Sequence, residues 1–295
     1  MGILKELWTG ELIKNFRHEA EFLSRIANRN DFVNNNAIHM ADIGADPEVL
    51  VNNTTYPIET AGREDSDIVI ALDKFDTTNT KITDDELYAL PYDKGGSVLE
   101  QHREVLEEKT AEKAAHSLSP AVATHLTTGG TNGETAPRKR LLPADIIRLK
   151  KWMDDLKIPK KNRELVLCNE HVQDLLLVDE KFAKQYQDME QGKVLNMYGF
   201  LISEFVANPK YKTVNTVVTK KAWGTASDAV NDMAASFFYY IPRAVQARGT
   251  AQMYNDKAEN NPQTRESVVG FRLYHICLPK KTTGFGAIAS AIYTG

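Results

Sequence analysis

Residues 141–171 read LLPADIIRLKKWMDDLKIPKKNRELVLCNEH, and two elements of different period follow one another within them. Pro143 suits the first turn of a helix, Ile146, Leu149, Met153 and Leu156 recur along one face of it, and Pro159 ends it. Residues 164–168, with the apolar run Leu165 to Cys168 and no helical spacing, read as a buried strand. Asn169 is placed to cap a third helix, and Phe182, Tyr186 and Met189 mark a fourth that stops at Gly192. Beyond it the chain is mostly strand-like, over 194–205, 213–219, 236–241, 250–254, 267–278 and 286–293. Helices and strands mixed in this order give an α+β class.

Working back towards the N-terminus, the glycine-rich stretch 127–137 reads as a flexible loop and a subdomain boundary. Before it, 97–118 is a long helix rich in Glu, Lys and Ala, with Ser97 and Glu100 at capping-box spacing. Its apolar stripe (Val98, His102, Val105, Ala111, Ala114, Leu118) is narrow, which predicts a helix laid along a sheet with much of its surface free. Ser119-Pro120 stops it. Residues 5–26 have the spacing of an amphipathic helix.

The segment 53–93 carries ten carboxylates against Arg63, Lys74 and Lys81, a net of −7 in a chain whose net charge is −4. Two strand-like runs, 67–72 and 77–83, flank Asp73, Lys74, Phe75 and Asp76, so the pattern predicts a long hairpin. So polar a hairpin cannot bury itself well and is expected to project. The opposite charge collects in 138–163, where ten Lys and Arg face three Asp, a net of +7. The charges predict an inter-subunit contact in which Asp73, Lys74, Phe75, Asp76, Asp84, Asp85 and Glu86 of one copy meet Arg138, Lys139 and Arg140 of another.

Composition narrows the function classes. The 295 residues are 42% hydrophobic, enough for one large domain or two modest ones. The acidic balance argues against a dedicated nucleic-acid binder. No apolar run approaches the roughly 20 residues of a membrane helix, and residues 1–16 have no signal-peptide core, so a cytoplasmic setting is expected. There Cys168 and Cys277 stay thiols.

The chemistry-bearing motifs are weak. Gly284-Phe285-Gly286-Ala287-Ile288-Ala289 has dinucleotide-loop spacing but no room for the following helix and acid, and reads as the start of a strand. Cys168 and His171, with His275 and Cys277, offer a conceivable zinc set, against which stands the plainer reading of buried core residues. Asp84-Asp85-Glu86 reads as a solvated turn. No catalytic, cofactor-binding or metal-ligating residue is assigned, and no cofactor is expected.

Taken in order, arm, projecting hairpin, long helix, central α/β region and late strands resemble the Hong Kong 97-type capsid fold of tailed bacteriophages. Ala144-Asp145-Ile146-Ile147 followed by Leu165-Val166-Leu167-Cys168-Asn169-Glu170-His171 is similar to the start of that family's axial domain. Gly199-Phe200-Leu201-Ile202 is similar to the segment crossing back through it, and Tyr92-Asp93-Lys94 to the junction of extended loop and spine helix. The resemblance implies an N-terminal arm (1–52), an extended hairpin loop (53–94), a spine helix with peripheral domain (95–141), an axial domain (142–240) and returning strands (241–295). It further implies a major capsid protein, not an enzyme, forming hexamers and pentamers of an icosahedral shell around double-stranded DNA. The virion would be assembled in the bacterial cytoplasm, with a separate scaffolding protein, a portal and weak, non-specific contact with packaged DNA. No covalent crosslink is expected. An encapsulin-like cellular compartment and, in another class, a metal-binding enzyme at Cys168 and His171 are the alternatives.

Overall fold

The computed structural model describes residues 20–34, 37–42, 66–83, 93–132, 138–188, 196–228, 230–261 and 263–292, with isolated positions between 49 and 63. In chain order the helices are α1 (Glu21–Ser24), α2 (Lys94–Leu118), α3 (Pro143–Asp155), α4 (Asn169–Val178) and α5 (Glu180–Asp188). The strands are β1 (Val33–Asn34), β2 (Ala37–Asp42), β3 (Ser66–Ala71), β4 (Asp73–Asp76), β5 (Thr80–Thr83), β6 (His125–Leu126), β7 (Arg163–Leu167), β8 (Asn196–Met197) and β9 (Phe200–Glu204). They continue with β10 (Tyr211–Val214), β11 (Val217–Lys220), β12 (Ala235–Tyr240), β13 (Ala244–Asp256), β14 (Glu266–Pro279) and β15 (Phe285–Ala289).

A six-stranded sheet, ordered β6-β15-β12-β7-β9-β8, forms the centre. β7 pairs with β9 in parallel and with β12 antiparallel, and all five of its residues are buried. That explains the apolar run Leu165-Val166-Leu167, since each face of the strand is covered. Val166, Phe237, Tyr239, Phe285 and Ala287 point to one side, where Phe22 and the Ala111, Ala114, Ala115 and Leu118 stretch of α2 meet them. Leu165, Leu167, Phe238 and Ile288 point to the other, against Ile146, Leu149 and Met153 of α3 and Val172 and Leu175 of α4.

A second sheet stands apart. The long antiparallel hairpin β13–β14 runs in register from Ala244↔Pro279 to Asp256↔Val268, with a shift between Arg248 and Ala251. β4 and β5 both lie on the far side of β14. α2, of 25 residues or about 37 Å, joins the two bodies. Its N-terminal half touches the second sheet, where His102 Nε2 hydrogen-bonds Thr80 Oγ1 at 2.9 Å and the ring packs against Phe271.

Several expectations need correction. The runs 67–72 and 77–83 are not the two arms of one hairpin. β3 pairs with β2, Ala37↔Ala71 through Asp42↔Ser66, whereas β4 and β5 belong to the β14 sheet. Asp73, Lys74, Phe75 and Asp76 are therefore a strand and not a turn. The hairpin begins before residue 53, because alternation marks a strand without naming its partner. The cap of α2 is Asp93, whose carboxylate accepts from Gly96 N at 2.9 Å, and not Ser97. Leu106 takes the buried place given to Val105. Cys168, and not Asn169, occupies the cap position of α4. The strand expected over 213–219 is a two-stranded hairpin, turned at Asn215 and Thr216, both at positive φ. The described part of the glycine loop, 127–132, is tied down by Gly129 N→Arg140 O, Arg140 N→Gly130 O and Asn132 N→Arg138 O bonds, while 133–137 lie outside the described residues. Of the helix expected over 5–26, residues 5–19 lie outside the described residues, and Glu21–Ser24 is helical.

Candidate functional site

Two arms leave the body from one apolar knot. Ile38 of β2 and Leu72, just past β3, are buried against Val245, Ala247 and Ile276 at the root of β13–β14. Beyond the root, Ala251 to Asp256 of β13 are exposed, with Met253 50% and Tyr254 48% accessible. Val69 on β3 is 55% accessible. Exposed apolar side chains of this kind on extended strands are the usual mark of an interaction surface.

Three polar tethers fix the body from which they extend. Glu164 of β7 is fully buried and accepts from Arg25 Nη1 at 2.8 Å, Ser203 Oγ at 2.5 Å and Tyr239 Oη at 2.8 Å. Burial pushes its carboxyl above the usual range, against the three donors, which favour the charged form. With Phe22 set edge-on to Phe205 and Phe237, this network sews residues 20–26 onto the central sheet. Asp174 of α4 accepts from both Nη atoms of Arg138, at 2.5 and 3.0 Å, and from Leu141 N at 2.9 Å. His171 links β12 to the residue after β15, Nδ1 to Ser236 Oγ at 2.7 Å and Nε2 to Ser290 Oγ at 2.9 Å.

The residues expected to form the inter-subunit contact are dispersed. Asp76 accepts from Arg272 Nε at 2.6 Å across the strand pair, and this bond, helped by Lys74, holds its carboxyl below the ordinary range. Asp73 pairs with His275, Lys74 with Tyr274 and Phe75 with Leu273. Asp84, Asp85 and Glu86 lie outside the described residues. Arg138 is half of a buried ion pair, only 12% exposed, and is not available to a neighbour's carboxylates. Lys139 N donates to Ala291 O and Arg140 Nη2 to Asn132 O, so this basic run is stitched into the chain's own fold. The run of charge in the sequence could not show Asp174, although an acid between Val172 and Leu175 on the buried face of a helix marked a partner to be found. Glu164 inside an apolar strand was a similar signal.

Cys168 follows β7 and His171 lies in the first turn of α4, while His275 and Cys277 lie on β14. Burial pushes the Cys168 thiol up to about 12 and also raises Cys277, the opposite of nucleophile activation. Both nitrogens of His171 are engaged by serines, and among the described residues no group of three or more His, Cys, Asp and Glu is placed to hold a metal ion. A cleft of about 700 Å³ lies between α2 and β13–β14, with Glu104, Glu107 and Glu108 on one wall and Arg248 and His275 on the other. Among the described residues no helix is long and apolar enough to cross a membrane.

No protein-family model and no curated protein matches the sequence. Solved structures do. Mycobacterium phage Che8 superposes with a TM-score of 0.66 at 12% identity, covering 97% of each chain. The capsid of Ralstonia phage GP4 gives 0.66 at 10% identity over 99% of this chain and 96% of that one. The capsid of a native GTA particle gives 0.61 at 12% identity over 98% and 96%. The chain has the Hong Kong 97-type capsid fold. What it shares with these capsids is the path of the backbone over nearly the whole length of both chains.

Proposed function

We propose that this chain is a major capsid protein that assembles into the head shell of a tailed phage and performs no catalysis. The observation that carries the reading is the full-length backbone match to capsid chains. It is supported by two exposed arms growing from a rigid, tethered body. In this reading residues 20–34 belong to an N-terminal arm and residues 37–71 to the extended hairpin loop. α2 with β4, β5, β13 and β14 forms the peripheral domain, and the six-stranded sheet with α3, α4 and α5 forms the axial domain. Hexamers and pentamers of this unit close the shell around double-stranded DNA, with a scaffolding protein and a portal as separate chains. Many modest contacts, repeated by symmetry, give a durable container.

The test is direct. The purified full chain, alone and with scaffolding protein, is examined by negative-stain microscopy and sedimentation. Closed particles of uniform size are expected. A chain that stays monomeric under both conditions overturns the reading, and particles that copurify with protein cargo instead of DNA point to a cellular compartment.

A further inference from the structure

α2 does not close over the whole width of the second sheet. Two clefts lie side by side between them, one of about 700 Å³ and one of about 600 Å³, and Arg248 and Leu273 line both. The strand that borders them is bulged. Arg248 pairs with His275 and Ala251 with Leu273, which leaves one residue too many on β13, a feature that bends a strand and re-aims its side chains. The second cleft is apolar, lined by Leu99, Leu106, Ala251, Met253, Phe271 and Leu273. Where the clefts meet, two polar side chains stand without partners. His275 is only 8% exposed, lines the first cleft, and makes no hydrogen bond through its ring among the described residues. Buried polar groups nearly always have a partner, so an imidazole turned into an open cleft marks a place for one. Burial, aided by the neighbouring Arg248 charge, lowers its pKa, so at neutral pH one ring nitrogen donates and the other accepts. Arg248 stands opposite it across the strand pair, so both side chains rise on one face. Its backbone N–H goes to Asn30 Oδ1, while its guanidinium has no hydrogen bond or ion pair among the described residues. Asp73 flanks the imidazole from β4, which puts the place for a negative group on the Arg248 side.

We infer that this groove binds a small amphiphilic anion of the fatty-acid type, its carboxylate held by Arg248 and His275 and its chain laid along the apolar second cleft. A guanidinium fork matches a carboxylate with two parallel bonds, and the imidazole supplies a third donor. The exposed apolar lining, with Leu99 38% and Met253 50% accessible, is the surface such a chain would cover. Each cleft falls within the roughly 300–1,000 Å³ of small-molecule sites. Charge sets the upper limit on the ligand. Glu104, Glu107 and Glu108 on the α2 wall repel a polyanion such as duplex DNA, and they leave room for a single negative charge at Arg248. The inference does not depend on the capsid reading, because every group it uses belongs to one subunit.

The experiment uses the full chain as unassembled subunits, with dodecanoate below its micelle-forming concentration as the probe, followed by titration calorimetry and thermal melting. One equivalent should bind and raise the melting temperature. Dodecanol and dodecylammonium, which share the chain but carry no anion, should bind about tenfold more weakly or worse. Arg248→Gln should erase the preference for dodecanoate over dodecanol, and Met253→Glu should weaken both. These positions are exposed, so without the probe both variants should melt like the parent. Should Arg248→Gln melt lower, Arg248→Lys, which keeps the charge but not the fork, must still weaken dodecanoate. Absence of binding, several equivalents that neither variant reduces, or dodecanol bound as tightly as dodecanoate overturns the inference. So does self-association of the parent that Met253→Glu abolishes while the probe finds no site, since the groove then belongs to a contact between copies. Shell formation is read separately under the microscope, so the two readings fail independently.

Discussion

Glu164 sits in a fully buried strand, and its charge is tolerable only because Arg25, Ser203 and Tyr239 surround it. Arg25→Ala removes the single cation, and breaking a buried pair from one side costs about 3–5 kcal/mol. The variant should unfold at correspondingly lower urea, and residues 20–26 should become open to limited proteolysis before the sheet does. Two histidines supply a pH test. Burial holds His171 neutral, with a pKa of about 3, and His275 at about 4, against 6.5 for the exposed group. Both folded values are depressed, so their contribution is complete above pH 6.5 and is lost as pH falls towards 4 and then 3. The unfolded chain then takes up protons that the folded chain refuses, at about 1.4 kcal/mol per pH unit for each. The urea midpoint of the unassembled subunit should therefore drop between pH 6.5 and 4.5. His171→Gln with His275→Gln should lessen that drop, the difference between the two curves being the measurement.

Among elements, β15 shows how a glycine motif serves packing. Any Cβ on Gly286 would overlap the buried ring of Phe238, itself edge-on to Trp152, and Gly284 holds a φ of +99°. Gly286→Ala should cost about 1–3 kcal/mol by overpacking, read as a lowered melting temperature with retained helix content. The hairpin gives the functional counterpart. Removing residues 62–86 would delete β3, β4 and β5 and expose Ile276 and Leu273, so that change should unfold the chain. Replacing only 43–65 with a short Gly-Ser linker leaves every strand in place, and closure entropy varies weakly with loop length. That variant should melt like the parent and form no shells in sedimentation. The comparison also shows where sequence reasoning reached. α3 and β7 were legible because their periods are local properties of consecutive residues. The partner of β4 was not, because it stands 196 residues away at Arg272 and nothing in the Asp73–Asp76 run encodes that distance. The ion pair of Arg138 was hidden for the same reason, its acid lying 36 residues on in α4.

For the whole molecule, the durability of the proposed shell must come from interfaces, since no disulfide braces the subunit and both cysteines are free and buried. Shells should accordingly keep their sedimentation in chelator and in reductant, and Cys168→Ser with Cys277→Ser should assemble at a small packing cost of about 1 kcal/mol each. Shells that dissolve in either reagent would contradict this account. The order of strands in the central sheet has a further consequence, one of timing. β7 has β12 as a neighbour, and β12 is completed by β15, so the middle of the sheet waits for the chain's last described strand. Likewise β4 and β5 find their ladder only on β14. During synthesis the chain therefore lacks both the finished body and the rooted arms until residues near 289 have been made. In the proposed shell an unfinished copy would lack the surfaces that recruit its fellows, so incomplete polypeptides should be kept out of the growing lattice by the order in which the ribosome delivers the strands.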